Sequence, residues 1–352
     1  MLKNFKDQKV LITGHTGFKG SWLSVWLKML GARVIGISNS LGTDPSHYKE
    51  ISKIFDKDII ADIRQKDELT EFIHQNEPNY IFHLAAQPIV LESYKDPYLT
   101  FTSNTLGTLN ILESLRGLKK NCIVILITSD KSYENRELKR GYKENDRLGG
   151  YDPYSGSKAA AELVIKSYFH SFFKENNKIK LSIARAGNVI GGGDWSNGRI
   201  VPDAIRAWQS KQPLLVRSPN STRPWQHVLD PLYGYLLMAD LLSSGKPING
   251  EAYNFGPCED ENPSVQDVLN ILKEFLPKFS WEKSVEEDVL LHESKLLALN
   301  CTKAMQQLNW APKINFKDTM RYTADWYLNY YSNSRHKILN FSMSQIDNYI
   351  SN

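Results

Sequence analysis

The sequence predicts an α/β fold: a Rossmann-type doubly wound parallel sheet with a smaller mixed α/β substrate-binding domain laid over it. Three observations predict it. Short apolar, partly β-branched runs alternate with amphipathic helical stretches through the first half. A glycine-rich loop joins the first run to the first helix. After about Gly187, Gly, Pro, Trp and Asn become frequent and regular alternation stops. With 352 residues, 41% of them hydrophobic, the chain can bury the core of one large or two interlocked domains.

The elements read in order as follows. Residues 9–13 form a compact strand, and Trp22, Leu23, Trp26, Leu27 and Leu30 repeat at helical spacing behind it. Strands are expected at 33–37, 59–61, 80–84, 123–128 and 181–185, with helices at 67–75, 104–116 and 154–176. Strands separated by helices pair in parallel, because each helix carries the chain back across the sheet. Shorter helices are expected at 201–209, 231–243 and 264–275. Residues 1–187 are therefore the expected dinucleotide-binding domain, with part of 225–262 returning to it, and 188–352 the mainly substrate-binding one. The tail from 337 to 352 is polar, with sparse apolar positions and no role legible in it.

Composition removes several function classes. Lys and Arg number 43 against 39 Asp and Glu, a net charge of +4, and they are scattered; nucleic acid is not the expected partner. A mild positive bias suits a small anionic substrate. Cys122, Cys258 and Cys301 show neither CxxC pairing nor metal-ligand spacing, so plain thiols and no metal site are expected. The lysines near the start precede no apolar run, and no apolar stretch nears the ~20 residues of a membrane span. A cytoplasmic protein without membrane contact is expected.

The loop Gly14-His15-Thr16-Gly17-Phe18-Lys19-Gly20 carries the first chemistry. Its spacing is G-x-x-G-x-x-G. Glycines there permit a tight turn and let the backbone approach a pyrophosphate at a helix N-terminus. After a strand and before a helix, this is a Rossmann-type cofactor loop. The second strand ends in Ile37-Ser38-Asn39-Ser40, without the acid that commonly holds NAD ribose hydroxyls. NAD is expected and NADP stays open, with Lys19 either against a 2′-phosphate or in solvent. Asp62, after the third strand, either accepts from the adenine amino group or caps its loop.

Tyr154 and Lys158 stand four apart at the start of a helix and share one face. A cation beside a phenol favours the phenolate and lowers its pKa from about 10. The pair then serves as a base for a hydroxyl proton. Ser129, Asp130 and Lys131 leave the sheet together after the run at 123–128, on the edge where the helix of Tyr154 starts. Ser129 can hydrogen-bond the oxygen that Tyr154 deprotonates, while Asp130 and Lys131 form an acid/base pair.

These motifs resemble the extended short-chain dehydrogenase/reductase family, and within it the CDP-glucose 4,6-dehydratases. The resemblance runs over essentially the whole chain. It includes GHTGFKGSW at 14–22, HLAAQP at 83–88, SDKSYEN at 129–135 and GGYDPYSGSK at 149–158. RAGNVIGGGDW at 185–195, RPWQHVLD at 223–230 and NFGP at 254–257 continue it. The Tyr/Lys pair is generic to the superfamily; Asp-Lys after the strand is more specific. The missing acid at the second strand departs from the usual pattern and leaves the cofactor's identity open, not the fold.

The resemblance implies a sugar-nucleotide 4,6-dehydratase with a tightly held nicotinamide cofactor. Tyr154 would take the 4-hydroxyl proton while C4 is oxidised. Lys131 would remove the C5 proton, Asp130 would protonate the departing 6-oxygen, and hydride would return to C6. Lys158 would anchor the nicotinamide ribose. Asp62, Ile63, Leu84, Ala85, Ala86 and Thr128 would join the glycine loop around the cofactor. Gln87, Asn188, Arg199, Val201, Arg217 and Arg223 would meet the substrate, the residues 199–202 meeting its base and Arg217 and Arg223 its diphosphate. Trp195 and Trp225 either stack on a base or pack. The nucleotide base rests on resemblance alone, so GDP-, UDP- and dTDP-linked hexoses stay open. The other readings are an epimerase, which has no water to expel, and a binding module on a dinucleotide fold. A homodimer is implied, with 104–116 and 154–176 pairing as a four-helix bundle. Leu106, Leu109, Leu112 and Leu115 face either that partner or their own core.

Overall fold

In the computed structural model, which describes residues 2–257, 263–284, 297–332 and 337–351, one sheet organises the molecule. Its strands are β1 (Lys9–Thr13), β2 (Arg33–Ser38), β3 (Lys57–Ile60), β4 (Tyr80–His83), β5 (Cys122–Ile127), β6 (Ile179–Ala186) and β7 (Ala252–Phe255). All pair in parallel in the order β7-β6-β5-β4-β1-β2-β3. The order reverses at β1, whose Thr13 lies opposite Ile37 on one side and His83 on the other. Loops leaving β1 and β4 diverge there and open a crevice at the carboxyl ends of the strands.

The predicted strands and helices are present, most with ends shifted by one to three residues. β7 is a strand that the sequence does not announce. It is four residues long and returns to β6 with Ala252 opposite Ile183, a pairing with no local signature.

Helices cover both faces. On one, α1 (Phe18–Met29) buries Trp22 and Trp26 against the later helix Leu229–Ser243 and its Leu232, Tyr235 and Leu236. Removing either tryptophan side chain costs about 3–5 kcal/mol. On the other, α2 (Gly107–Arg116) and α3 (Pro153–Tyr168) pack Ile111, Leu112, Leu115 and Ile165 onto Leu11, Ile81 and Val124. Leu112 and Leu115 thus belong to the chain's own core, whereas Leu106 is 47% exposed. Strands buried on both faces read as continuous apolar runs, as Cys122–Ile127 does.

The second half builds on the carboxyl edge. Val189–Ile190 pairs with Gln226–His227, and Leu214–Val216 with Trp281–Lys283. The tail is the helix Ile338–Ser351, folded back onto α1. Ser342 Oγ joins it to the preceding helix through Trp326 Nε1 at 2.9 Å and to His47 Nε2 at 3.1 Å. Trp195 packs among Trp326, Tyr327 and Tyr330, and Trp225 Nε1 donates to the Pro263 carbonyl at 3.1 Å. Both are used in packing. Cys122 and Cys301 are buried thiols; Cys258 lies outside the described residues.

Candidate active site

The cofactor loop follows from its glycines. Gly14 adopts φ +76°, and a Cβ there would stand 2.8 Å from the Ala85 amide nitrogen. A Cβ on Gly20 would stand 2.1 Å from the Gly14 carbonyl oxygen. The loop therefore folds back on itself with no room for a side chain at Gly14 or Gly20, against the half-buried Leu84, Ala85 and Ala86. α1 starts at Gly17 with no side-chain cap and no acid in its first turn. Its first amides are left to an anion, which is the fit a dinucleotide pyrophosphate requires.

At the β2 end, His15 takes the space a larger residue than Gly36 would fill, since a Cβ on Gly36 would lie 2.4 Å from its ring. Its Nδ1 meets Ser38 Oγ at 3.0 Å, its Nε2 lies 3.4 Å from Asp58, and Thr16 N donates to Ser38 Oγ at 3.3 Å. Burial lowers the imidazole pKa, so it is held neutral at pH 7. Asp62 caps its own loop, with Arg64 N and Nε each at 2.9 Å. Ile63 is buried under Gly107, and Thr128 Oγ1 donates to Glu162 at 2.6 Å.

β5 ends at Ile127, and Ser129 caps a single turn, Asp130–Ser132. Ser129 Oγ accepts from Lys131 N at 3.2 Å and donates to Asp130 Oδ1 at 2.9 Å. Asp130 is 2% exposed, and its Oδ2 has no hydrogen-bond partner among the described residues. That carboxylate lies against Gly187, where a Cβ would approach Oδ2 to 2.2 Å. Lys131 is half-buried beside it.

α3 begins at Asp152-Pro153: the Asp152 carboxylate accepts from Ser155 N at 2.9 Å and the proline occupies a position needing no N–H. This start puts Tyr154 in the first turn, beside Ser129. Burial pushes the phenol up to about 12; the Ser129 hydroxyl and the Arg199 charge oppose this and Asp130 adds to it. The expected lowering by Lys158 is not found. Lys158 Nζ points to the Ile127 carbonyl at 3.5 Å, and burial lowers it to about 8 against the Glu162 carboxylate.

α1 turns the half-buried Lys19 so that its Nζ lies 3.5 Å from Tyr235 Oη. Burial lowers its amine to about 7, and the Arg199 and Lys158 charges add to that while Asp130 opposes it. Arg199, expected at the base, pairs with Asp194 at 2.9 Å and lies within electrostatic reach of Tyr154 and Lys19.

The remaining substrate positions divide. Asn188 stands at φ +27° with a buried Nδ2 lacking any partner among the described residues. Gln87 is engaged within its loop, donating to Thr100 Oγ1 at 2.8 Å and accepting from Ile89 N at 2.5 Å. Val201 is 1% exposed and belongs to the core, because it is on the apolar face of the helix Ile200–Ser210. Arg223 is buried and donates to the Thr222 carbonyl at 2.7 Å, while Arg217 is exposed. Ser129, Asp130, Tyr154, Lys158, Lys19 and Arg199 thus converge on one edge, and Gln87 is tied to the Tyr154 turn through Asn104 and Ser157.

The model of the GDP-mannose 4,6 dehydratase family matches residues 11–323. This chain belongs to that family. CDP-glucose 4,6-dehydratase of Salmonella typhimurium is 41% identical over 333 residues, covering 92% of this chain and 92% of that protein. CDP-paratose 2-epimerase of Salmonella typhi is 25% identical, over 90% of this chain and 98% of that one. Among solved structures, an epimerase from Methanothermobacter thermautotrophicus aligns with TM-score 0.80 at 24% identity, covering 95% of this chain and 96% of that one. UDP-glucuronic acid 4-epimerase from Bacillus cereus, in complex with UDP-glucuronic acid and NAD, aligns with TM-score 0.78 at 23% identity, covering 92% and 100%. The structural likenesses show the fold; family membership rests on the sequence.

Two members of the site escape a reading of the sequence. Glu162, at i+4 from Lys158, continues the Tyr154–Lys158 face and could have been found by the same spacing. Tyr235, within the apolar stretch of Leu229–Ser243, gives no signal at all.

Proposed function

We propose that this protein is a nicotinamide-dependent CDP-glucose 4,6-dehydratase, converting CDP-glucose to CDP-4-keto-6-deoxyglucose and water. The observation that carries the reading is Asp130-Lys131 turning off β5 beside Tyr154, in a chain 41% identical to a CDP-glucose 4,6-dehydratase. An epimerase has no leaving hydroxyl to protonate and no use for this pair.

The bound nicotinamide supplies a place for the C4 hydride to go and from which it returns to C6. Every other task falls to side chains. Tyr154, with Ser129, accepts the O4 proton and stabilises the growing C4 carbonyl. Lys131 takes the C5 proton, now acidified by that carbonyl, and gives it back at the end. Asp130 protonates the departing O6. Lys158 would hold the nicotinamide ribose. Holding these groups on one strand end and one helix start supplies the proximity contribution.

NAD rather than NADP is favoured by the β2 end, where a neutral His15, Ser38 and the Asp58 carboxylate gather and Arg64 is already paired with Asp62. An added 2′-phosphate would meet a carboxylate there. On the substrate side, the unpartnered Asn188 Nδ2 and the Arg199 guanidinium support a sugar-phosphate position. Arg217 and Arg223 are the candidates for the diphosphate. The exposed Phe101, Leu106, Leu163 and Phe172 of the helices around α2 and α3 support a homodimer through that face. Sedimentation is expected to give a dimer at micromolar concentration; monomer alone contradicts it.

The substrate assignment is tested by comparing kcat/KM for CDP-glucose with GDP-, UDP- and dTDP-hexoses. CDP-glucose is expected to lead by about tenfold or more, the discrimination that a set of base contacts supplies. A higher value for any of the others overturns the choice of base while leaving the dehydratase.

A further inference from the structure

The acid of the proposed reaction is held unevenly. Asp130 Oδ1 accepts from Ser129 Oγ at 2.9 Å, whereas the buried Oδ2 has no hydrogen-bond partner among the described residues. Shape fixes that second oxygen. A Cβ on Gly187 would stand 2.2 Å from Asp130 Oδ2, 2.7 Å from its Cγ and 3.2 Å from its Cβ, the three nearest atoms beyond the chain neighbours. The carboxyl therefore lies directly against the Gly187 backbone. The φ of Gly187 is not left-handed, so this contact, and not the turn, excludes a side chain there.

Gly187 is itself held. It follows β6, and the next residue, Asn188, takes the strained φ of +27°. Gln226 grips this turn from the neighbouring strand. Its Nε2 donates to the Gly187 carbonyl at 2.9 Å and to the Phe255 carbonyl, at the end of β7, at 2.8 Å. Its backbone N donates to the Asn188 carbonyl at 3.3 Å. An amide nitrogen carries two protons, and both are used. Two facing carbonyls also settle which way round the amide sits. Gln226 is 1% exposed, so an apolar residue of similar length would fill the space but leave both carbonyls without this donor.

We propose that Gln226 and Gly187 are positioning residues of the elimination step: Gln226 pins the Gly187 turn, and Gly187 sets where the Asp130 carboxyl stands when it protonates the departing 6-oxygen. This rests on the dehydratase reading. The step itself is unchanged: the carboxylic proton passes to O6 as the C6–O6 bond breaks, water leaves, and Asp130 becomes a carboxylate. The groups that serve C4 oxidation are placed by other means. Ser129 Oγ accepts from Lys131 N at 3.2 Å within its own turn, and Tyr154 is placed by the start of α3. The two halves of the reaction are therefore separable. A carboxyl displaced by about 1 Å slows proton transfer to O6 about a hundredfold and leaves the first hydride step intact.

The test follows both half-reactions of Gly187→Ala and Gln226→Met in the protein loaded with NAD and CDP-glucose. Rapid-mixing absorbance reads reduction of the bound nicotinamide, and mass spectrometry reads loss of water. Both variants are expected to reduce the cofactor at the wild-type rate and then stall, so that reduced nicotinamide accumulates on the protein. Water loss is expected to fall about a hundredfold in Gly187→Ala and about tenfold in Gln226→Met. Added to Asp130→Asn, Gln226→Met is expected to change the residual rate by less than about twofold, because its effect runs through the carboxyl. Equal slowing of both half-reactions, which a general loosening of the fold would give, overturns the proposal. So does water loss at the wild-type rate in Gln226→Met, or a further loss of about tenfold in the double variant. Should Gly187→Ala not fold, Gln226→Met and the double variant decide alone. If wild type expels no water, the dehydratase reading falls and this proposal with it; if wild type does and the variants keep pace, only the proposal falls.

Discussion

Asp130 is held by neighbours from two parts of the chain: its own Ser129 cap, and Gly187 far along the sequence, whose missing side chain makes room for the carboxylate. Half of that is legible in the sequence. Tyr154 and Lys158 are one helical turn apart, and Ser129, Asp130 and Lys131 are consecutive, so local geometry suffices to group them. Lys19 beside Asp130, or Gly187 under it, joins residues far apart in sequence through the sheet order, which no local pattern encodes. The raised phenol is illegible for a different reason: spacing says that a cation shares the face, but burial decides the sign. At this scale, Asp130→Asn and Lys131→Met are expected to cut water loss by about a hundredfold or more, with circular dichroism and cofactor binding unchanged. A folded variant of either turning over near the wild-type rate would remove that residue from the acid/base pair.

Among elements, α3 does two jobs, one from its start and one from its middle. Its start aims Tyr154 at Ser129, and one turn beyond Lys158 it presents Glu162 to Arg185, the side chains being 1% and 4% exposed. Thr128 also donates to Glu162, and Arg185 Nη1 to Tyr133 Oη at 2.7 Å, tying α3 to β5 and β6 behind the site. Glu162→Gln leaves a buried guanidinium without its counter-charge. It is expected to cost about 3–5 kcal/mol in urea unfolding. A loss under about 1 kcal/mol, the size of an exposed pair, would mean that Arg185 finds another acceptor. Element type is well marked in the sequence because parallel strands buried on both faces are continuous apolar runs. β7 is the exception, since four residues pairing with β6 leave no periodicity to count.

For the whole molecule, the chain's own end closes back onto the helix that lines the second half. A polar tail gives no hint of this, yet Tyr349 Oη lies 3.0 Å from Asp230 Oδ1, and Lys313 N donates to the same oxygen at 2.8 Å. Burial pushes the Asp230 carboxyl up to about 6, against those hydrogen bonds. The sign of the consequence is fixed. Because the folded state holds this proton more tightly than the unfolded chain, the group's contribution to stability is full below about pH 4 and lost as pH rises through about 6. Relative to Asp230→Asn, wild type is expected to lose about 3 kcal/mol of unfolding free energy between about pH 4 and about pH 6. A constant difference across that range would show that Asp230 is not protonated in the fold.

The most direct measurement of the central claim is mass spectrometry of CDP-glucose incubated with the protein and NAD, read alongside the absorbance of the reduced cofactor. A product lighter by one water is expected, with no net accumulation of reduced nicotinamide. An unchanged mass with CDP-glucose and with the GDP-, UDP- and dTDP-linked hexoses would contradict it, and so would a product that forms only as reduced cofactor accumulates in step.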